Sequence, residues 1–106
     1  MRADKQKQFV HFFSNMLQLK DDDVLYKVFE SNQFTTMDDI IYTGDDFFTQ
    51  LQYIDGNKMK VSPLEPLLLC LRAVKAYYYH IKLTHSIDQV DWEDTTIVNS
   101  DNYDSF

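Results

Sequence analysis

The chain has 106 residues, 44% hydrophobic and 15% aromatic, with a formal net charge of −7. That length fits one packed domain and leaves little room for a second. Two glycines and two prolines are too few for the turns of an all-β fold, and an acidic chain gains little from nucleic-acid phosphates.

The charge is unevenly placed. Residues 84–106 hold six acids (Asp88, Asp91, Glu93, Asp94, Asp101, Asp104) and no Lys or Arg, whereas residues 1–83 hold eleven acids against ten bases. The division predicts a near-neutral helical domain over 1–83 and an acidic tail or linker over 84–106. No apolar run follows Met1, so no signal peptide is legible. The longest purely apolar run, Leu67–Leu71, is far short of a bilayer span. The single cysteine, Cys70, forms no intrachain disulfide and suits a reducing compartment. The expected location is intracellular, cytoplasmic or nuclear.

Residues 5–19 predict a first helix. Phe9, Phe13, Met16 and Leu17 fall on one face, and Phe12 and Leu19 widen it. Asp21-Asp22-Asp23 reads either as a cation site or as a helix N-terminus. The glycine and the twelfth-position acid of a calcium loop are missing, which favours the N-terminus. A second helix over 24–30 then turns Val24, Leu25, Val28 and Phe29 inward. Thr36-Met37-Asp38-Asp39 has capping-box spacing and opens a short third helix with Met37, Ile40 and Ile41 inward. Thr43-Gly44-Asp45-Asp46 repeats that spacing before a fourth helix carrying Phe47, Phe48 and Leu51.

Residues 52–61 contain the turn signal Asp55-Gly56 and read as a brief hairpin or a loop. Ser62-Pro63-Leu64-Glu65 is a capping box with proline at the first helical position, although Pro66 allows a start there instead. The fifth helix runs to about Leu83, with Leu64, Leu67, Leu71, Val74, Tyr78 and Ile81 as its stripe, widened by Leu68 and Ala76. Periodicity then stops, and residues 84–106 read as mostly disordered. Trp92, Ile97, Val98, Tyr103 and Phe106 equip that tail to fold on a partner or dock on its own domain.

Signs of chemistry are few. His11, His80 and His85 lack metal-ligand spacing, no Cys-x-x-Cys occurs, and Cys70 sits among leucines where a thiolate is disfavoured. There is no nucleophile elbow, and Gly44 and Gly56 cannot form a phosphate-cradling loop. The pairs Asp38-Asp39 and Asp45-Asp46 fall where caps are expected. No catalytic residue, cofactor, metal or small-molecule substrate is indicated. Tyr77-Tyr78-Tyr79 is the most unusual cluster: consecutive helical side chains point about 100° apart, so they cannot all be buried on one face. They read as core or tail packing, as protein-interface anchors, or as base-stacking groups beside Arg72, Lys75 and Lys82.

The rhythm of Leu25–Tyr53, a short helix followed by Met37-Asp38-Asp39-Ile40-Ile41 and then Thr43-Gly44-Asp45-Asp46-Phe47, resembles the middle of a sterile alpha motif (SAM) domain, and the long fifth helix fits that family. The Gln52–Val61 insert departs from it. The resemblance implies a SAM-like all-α bundle of about five helices and oligomerisation by pairing of two surfaces. Arg72, Lys75 and Lys82 would then supply the basic side and Asp38, Asp39, Asp45 and Asp46 the acidic one, with Tyr77 and Tyr79 of the aromatic cluster as further candidates for the interaction surface. Asp38-Asp39-Ile40-Ile41, Asp45-Asp46-Phe47, Leu51-Gln52-Tyr53 and Leu68–Tyr79 are also similar to N-terminal regions of algal copia-type retrotransposon polyproteins, which implies a Gag-like structural fragment associated with nucleic acid. The polar end at Phe106 fits a truncated reading frame. The leading expectation is a protein–protein interaction module whose partner is a protein, including a second copy of itself, with no membrane contact. The rival is the Gag-like fragment.

Overall fold

The computed structural model describes residues 2–106, with side chains from Asp4 onward. It is mostly helical, with one small two-stranded sheet. The elements are α1 (Arg2–His11), a π-helical turn (Phe12–Met16), α2 (Val24–Ser31), α3 (Met37–Ile41), α4 (Asp45–Phe48), β1 (Tyr53–Ile54), β2 (Lys60–Val61), α5 (Glu65–His85) and α6 (Ser100–Ser105).

The π turn lets the first helical segment bury more than one stripe. The wider turn closes with the Leu17 amide donating to the Phe12 carbonyl at 2.9 Å. Phe9, Phe12 and Phe13 are all buried. Phe9 and Phe13 meet Phe29 of α2 with ring centroids 4.8 Å apart in each case. These rings form one end of the core.

Local caps set the next boundaries. Asp23 caps α2, its carboxylate accepting from the Leu25 amide at 2.9 Å, so the Asp21–Asp23 run opens a helix as expected. The Thr36–Asp39 capping box is present in both directions. The two other expected caps are corrected. Gly44 precedes α4 without a side-chain cap, because the Thr43 hydroxyl turns back to the Asp39 carbonyl. Likewise α5 begins at Glu65 after an uncapped Leu64, with Pro66 in its first turn. Proline needs no backbone donor there, so the helix starts beside it, and Ser62 lies outside.

Residues 52–61 form the hairpin. Tyr53 pairs with Val61 and Ile54 with Lys60, antiparallel. The Asp55 carboxylate builds its turn by accepting from the Asn57 and Met59 amides, both at 2.9 Å. Such a small hairpin is marginal alone. Ser31 and Asn32 tie it to α2: the Ser31 hydroxyl accepts from the Ile54 amide, and the Asn32 side-chain amide donates to the Gln52 carbonyl.

The expectation of a disordered tail is corrected. Val90, Trp92 and Val98 are buried and continuous with the helical core. Trp92 packs edge-on against Phe12 at 4.8 Å and lies parallel to Tyr78 at 6.1 Å. The polar composition that reads as disorder makes turns instead. Asp91, Asp94 and Asn99 each accept a bond from a backbone amide two or three residues ahead. Those turns aim the sparse apolar side chains back onto α5.

Four side chains assigned to apolar faces in the sequence lie outside: Val24, Phe47, Leu64 and Ala76 are exposed. Phe48 and Leu51 alone fill the α4 side of the core.

Candidate interaction surface

Helix α5 spans 21 residues, a length of about 30 Å, and carries two apolar-bearing stripes. The inner one contains Leu67, Leu71, Val74, Tyr78 and Ile81, at alternating spacings of four and three. All but the half-buried Leu67 are buried. The outer one contains Glu65, Leu69, Arg72, Ala76, Tyr79 and Leu83, again at four-three spacing, and every member is exposed. Leu69 is 51% exposed, Tyr79 45% and Leu83 81%. The inner stripe is occupied by α3, α4 and the C-terminal segment. The outer stripe faces solvent.

The structure divides the tyrosine cluster. Tyr77 is fully buried, capped by Tyr103 at 5.0 Å and Phe106 at 5.8 Å between ring centroids. Its hydroxyl donates to the Ile97 carbonyl at 3.3 Å, and burial pushes its ionisation up. Tyr78 belongs to the inner stripe. Only Tyr79 stays at the surface, edge-on to Tyr78. Tyr77 is therefore a core residue and is withdrawn from the interaction surface.

The charged candidates separate in the same way. Lys75 donates to the Thr43 carbonyl at 2.9 Å and to Asp45 at 3.3 Å, and lies over the Phe48 ring at 5.9 Å. A basic group expected to meet the acidic surface of another molecule thus meets that surface within its own chain. The Lys82 ammonium lies 5.2 Å from the centre of the Tyr78 ring. Asp38 pairs with Lys5 of α1, which raises the lysine's pKa through that hydrogen bond and charge. Asp39 is committed to the cap. Burial pushes its carboxyl up, but bonds from Thr35 and Thr36 outweigh this and leave it below its ordinary value. Asp46 and Arg72 remain at the surface, where no side-chain partner is seen among the described residues.

Two concavities lie away from the outer stripe, none of whose members lines them. A cleft of about 430 Å³ lies between α1, α3 and the C-terminal segment, lined by residues that include Asp4, Asp38, Asp91, Tyr42, Tyr78 and Trp92. Lys5 reaches into it to meet Asp38. A more open apolar groove of about 520 Å³ lies where α2 meets the start of α5, lined by Leu19, Val24, Leu64, Pro66, Leu67 and Cys70. Burial pushes the Cys70 thiol up, and the Asp23 charge adds to this, opposite to what a nucleophile requires. Among the described residues no three or more metal-capable side chains gather, and no helix is long and apolar enough to cross a membrane.

No family model, curated protein or solved structure matches the chain. The surface must be judged on its own geometry. Its apolar members, Leu69, Ala76 and Leu83, were not singled out as interface residues in the sequence. Their four-three spacing was the available signal, masked because the inner stripe carries the same period two residues away.

Proposed function

We propose that the chain is a non-catalytic protein interaction module that associates with itself through the outer face of α5. The supporting observation is the exposed stripe itself: a four-three repeat carrying Leu69, Ala76, Tyr79 and Leu83 on the longest and best-anchored helix. Leaving such a stripe in water forfeits burial of roughly 25 cal/mol per Å² of apolar surface. Tyr and Arg, both present, are enriched where interfaces are anchored. The reading of a nucleic-acid-associated fragment gains no comparable support, since Tyr77 and Lys75 are engaged within the fold.

Size-exclusion chromatography with light scattering tests this. The molar mass should climb from 12.6 kDa as concentration rises. Tyr79→Lys, which places a charge in the stripe, should hold the mass at the monomer value. A wild-type mass that never leaves 12.6 kDa at any accessible concentration would overturn the reading.

A further inference from the structure

We infer that the cleft between α1, α3 and the C-terminal segment is a binding site for an arginine side chain carried on an extended peptide. This goes beyond self-association through α5 and is independent of it, since no member of the outer stripe lines the cleft.

The lining sets the charge of the ligand. Asp4, Asp38 and Asp91 stand against a single cation, Lys5, so carboxylates outnumber ammonium groups three to one. The bonds already made leave acceptors over. Lys5 donates to Asp38 Oδ2, and the Gln8 side chain and the Glu93 amide both donate to Asp91 Oδ1. Asp38 Oδ1, Asp91 Oδ2 and the Asp4 carboxylate accept no hydrogen bond among the described residues. The chain also shows the cleft holding a cation. The Lys5 ammonium reaches Asp38, with Tyr42 and Tyr78 near enough to act on its charge, and the hydrogen bond and charge of Asp38 raise its pKa. Lys5 is thus a built-in occupant of one part of the cleft. Among the described residues no three acids gather closely enough to hold a metal ion. Negative charge spread in this way suits an extended organic cation better than a single metal ion.

The wall sets the shape of the ligand. Tyr42, Tyr78 and Trp92 offer aromatic surface, and a guanidinium stacks on aromatic faces while its fork of donors reaches carboxylates. Trp92 is 4% exposed, and its indole N–H has no acceptor among the described residues. No fully buried side-chain nitrogen there lacks a partner, so that N–H meets the solvent of the cleft that Trp92 lines. It suits a backbone carbonyl beside the arginine, a group that a simple amine does not supply. The volume of about 430 Å³ lies within the roughly 300–1,000 Å³ of ligand pockets.

Trp92, the chain's one tryptophan, reports on the wall. The full chain is titrated with acetylated, amidated glycyl-arginyl-glycine, and with the same peptide carrying citrulline, which keeps the shape and loses the charge. The arginine peptide should change Trp92 emission along a saturating curve, and the citrulline peptide should not. Asp4→Asn should weaken binding roughly two- to fivefold, and Lys5→Gln, which removes the built-in competitor, should tighten it by a similar factor. Asp46→Asn removes the same charge outside the cleft and should leave the affinity unchanged. A gain on Lys5→Gln is an effect that misfolding does not produce. An emission that does not respond, an equal response to citrulline, weaker binding by Lys5→Gln, or an equal loss in Asp46→Asn would overturn the inference. Molar mass against concentration tests self-association separately, so either reading can fail alone.

Discussion

Removing the Trp92 side chain tests whether the C-terminal segment belongs to the core. Trp92 is 4% exposed and touches the rings of Phe12, Tyr77 and Tyr78. A buried tryptophan covers roughly 150–250 Å² and adds about 1 kcal/mol per good ring contact. Trp92→Ala should therefore cost about 3–5 kcal/mol, the range for deleting a buried large aromatic side chain. That is a large share of the roughly 5–15 kcal/mol expected of a domain, so the urea midpoint of the variant should fall sharply. Urea unfolding followed by far-ultraviolet circular dichroism measures the loss, since the chain's one tryptophan is the residue removed. Trp92→Phe, which keeps a ring in place, should recover about half of it. In the wild type, Trp92 fluorescence should be blue-shifted and shielded from acrylamide. A loss below about 1 kcal/mol, with solvent-like tryptophan emission, would show that residues 84–106 do not pack as described.

Three further outcomes follow from single groups. Asp39 has a folded pKa below its ordinary value, so its contribution is present above the unfolded value of about 4 and is lost as pH falls through the folded one. Asp39→Asn should cost about 1 kcal/mol at neutral pH and flatten the acid limb of stability against pH, read by urea melts from pH 7 downward; an unchanged limb would contradict this. Gln33 closes α2 at φ 59°, with the Phe34 amide donating to the Phe29 carbonyl at 2.8 Å, a position that favours glycine. Gln33→Gly should raise stability by about 0.5–1 kcal/mol in thermal melts, and a loss would refute the assignment of strain. Cys70, half-buried with its thiol pushed up, should react with iodoacetamide at pH 8 several-fold more slowly than a free peptide thiol; equal rates would place it in solvent.

The parts of the fold legible in the sequence were those decided locally. The Thr36–Asp39 box, the Asp23 cap, the Asp55-Gly56 turn and the inner α5 stripe each depend on residues within a few positions of one another. What escaped was decided by distant partners. Phe47 and Phe48 are equivalent to any periodicity argument, yet only Phe48 meets α5, where Lys75 lies over its ring. Tyr77 is buried because Trp92, Tyr103 and Phe106 return to cover it; docking of the tail was one reading of its apolar residues, but an acidic segment without helical period does not choose between docking and disorder. Thr43 was a sound cap by composition, but its hydroxyl found the Asp39 carbonyl first. For the interaction surface, the charges were readable as types and not as pairs. Lys75 and Asp45 looked like two halves of an intermolecular contact until the fold joined them.

The central claim is that the outer face of α5 is where one copy meets another. Amide chemical shifts recorded over a wide concentration range test it residue by residue. The account predicts concentration-dependent shifts at Leu69, Arg72, Ala76, Tyr79 and Leu83, spreading to His80 and Phe106 and leaving the exposed face of α1 around Lys7 and Val10 unchanged. Shifts centred on Asp45, Asp46 and the α3–α4 turn, or a spectrum that does not change with concentration, would contradict it.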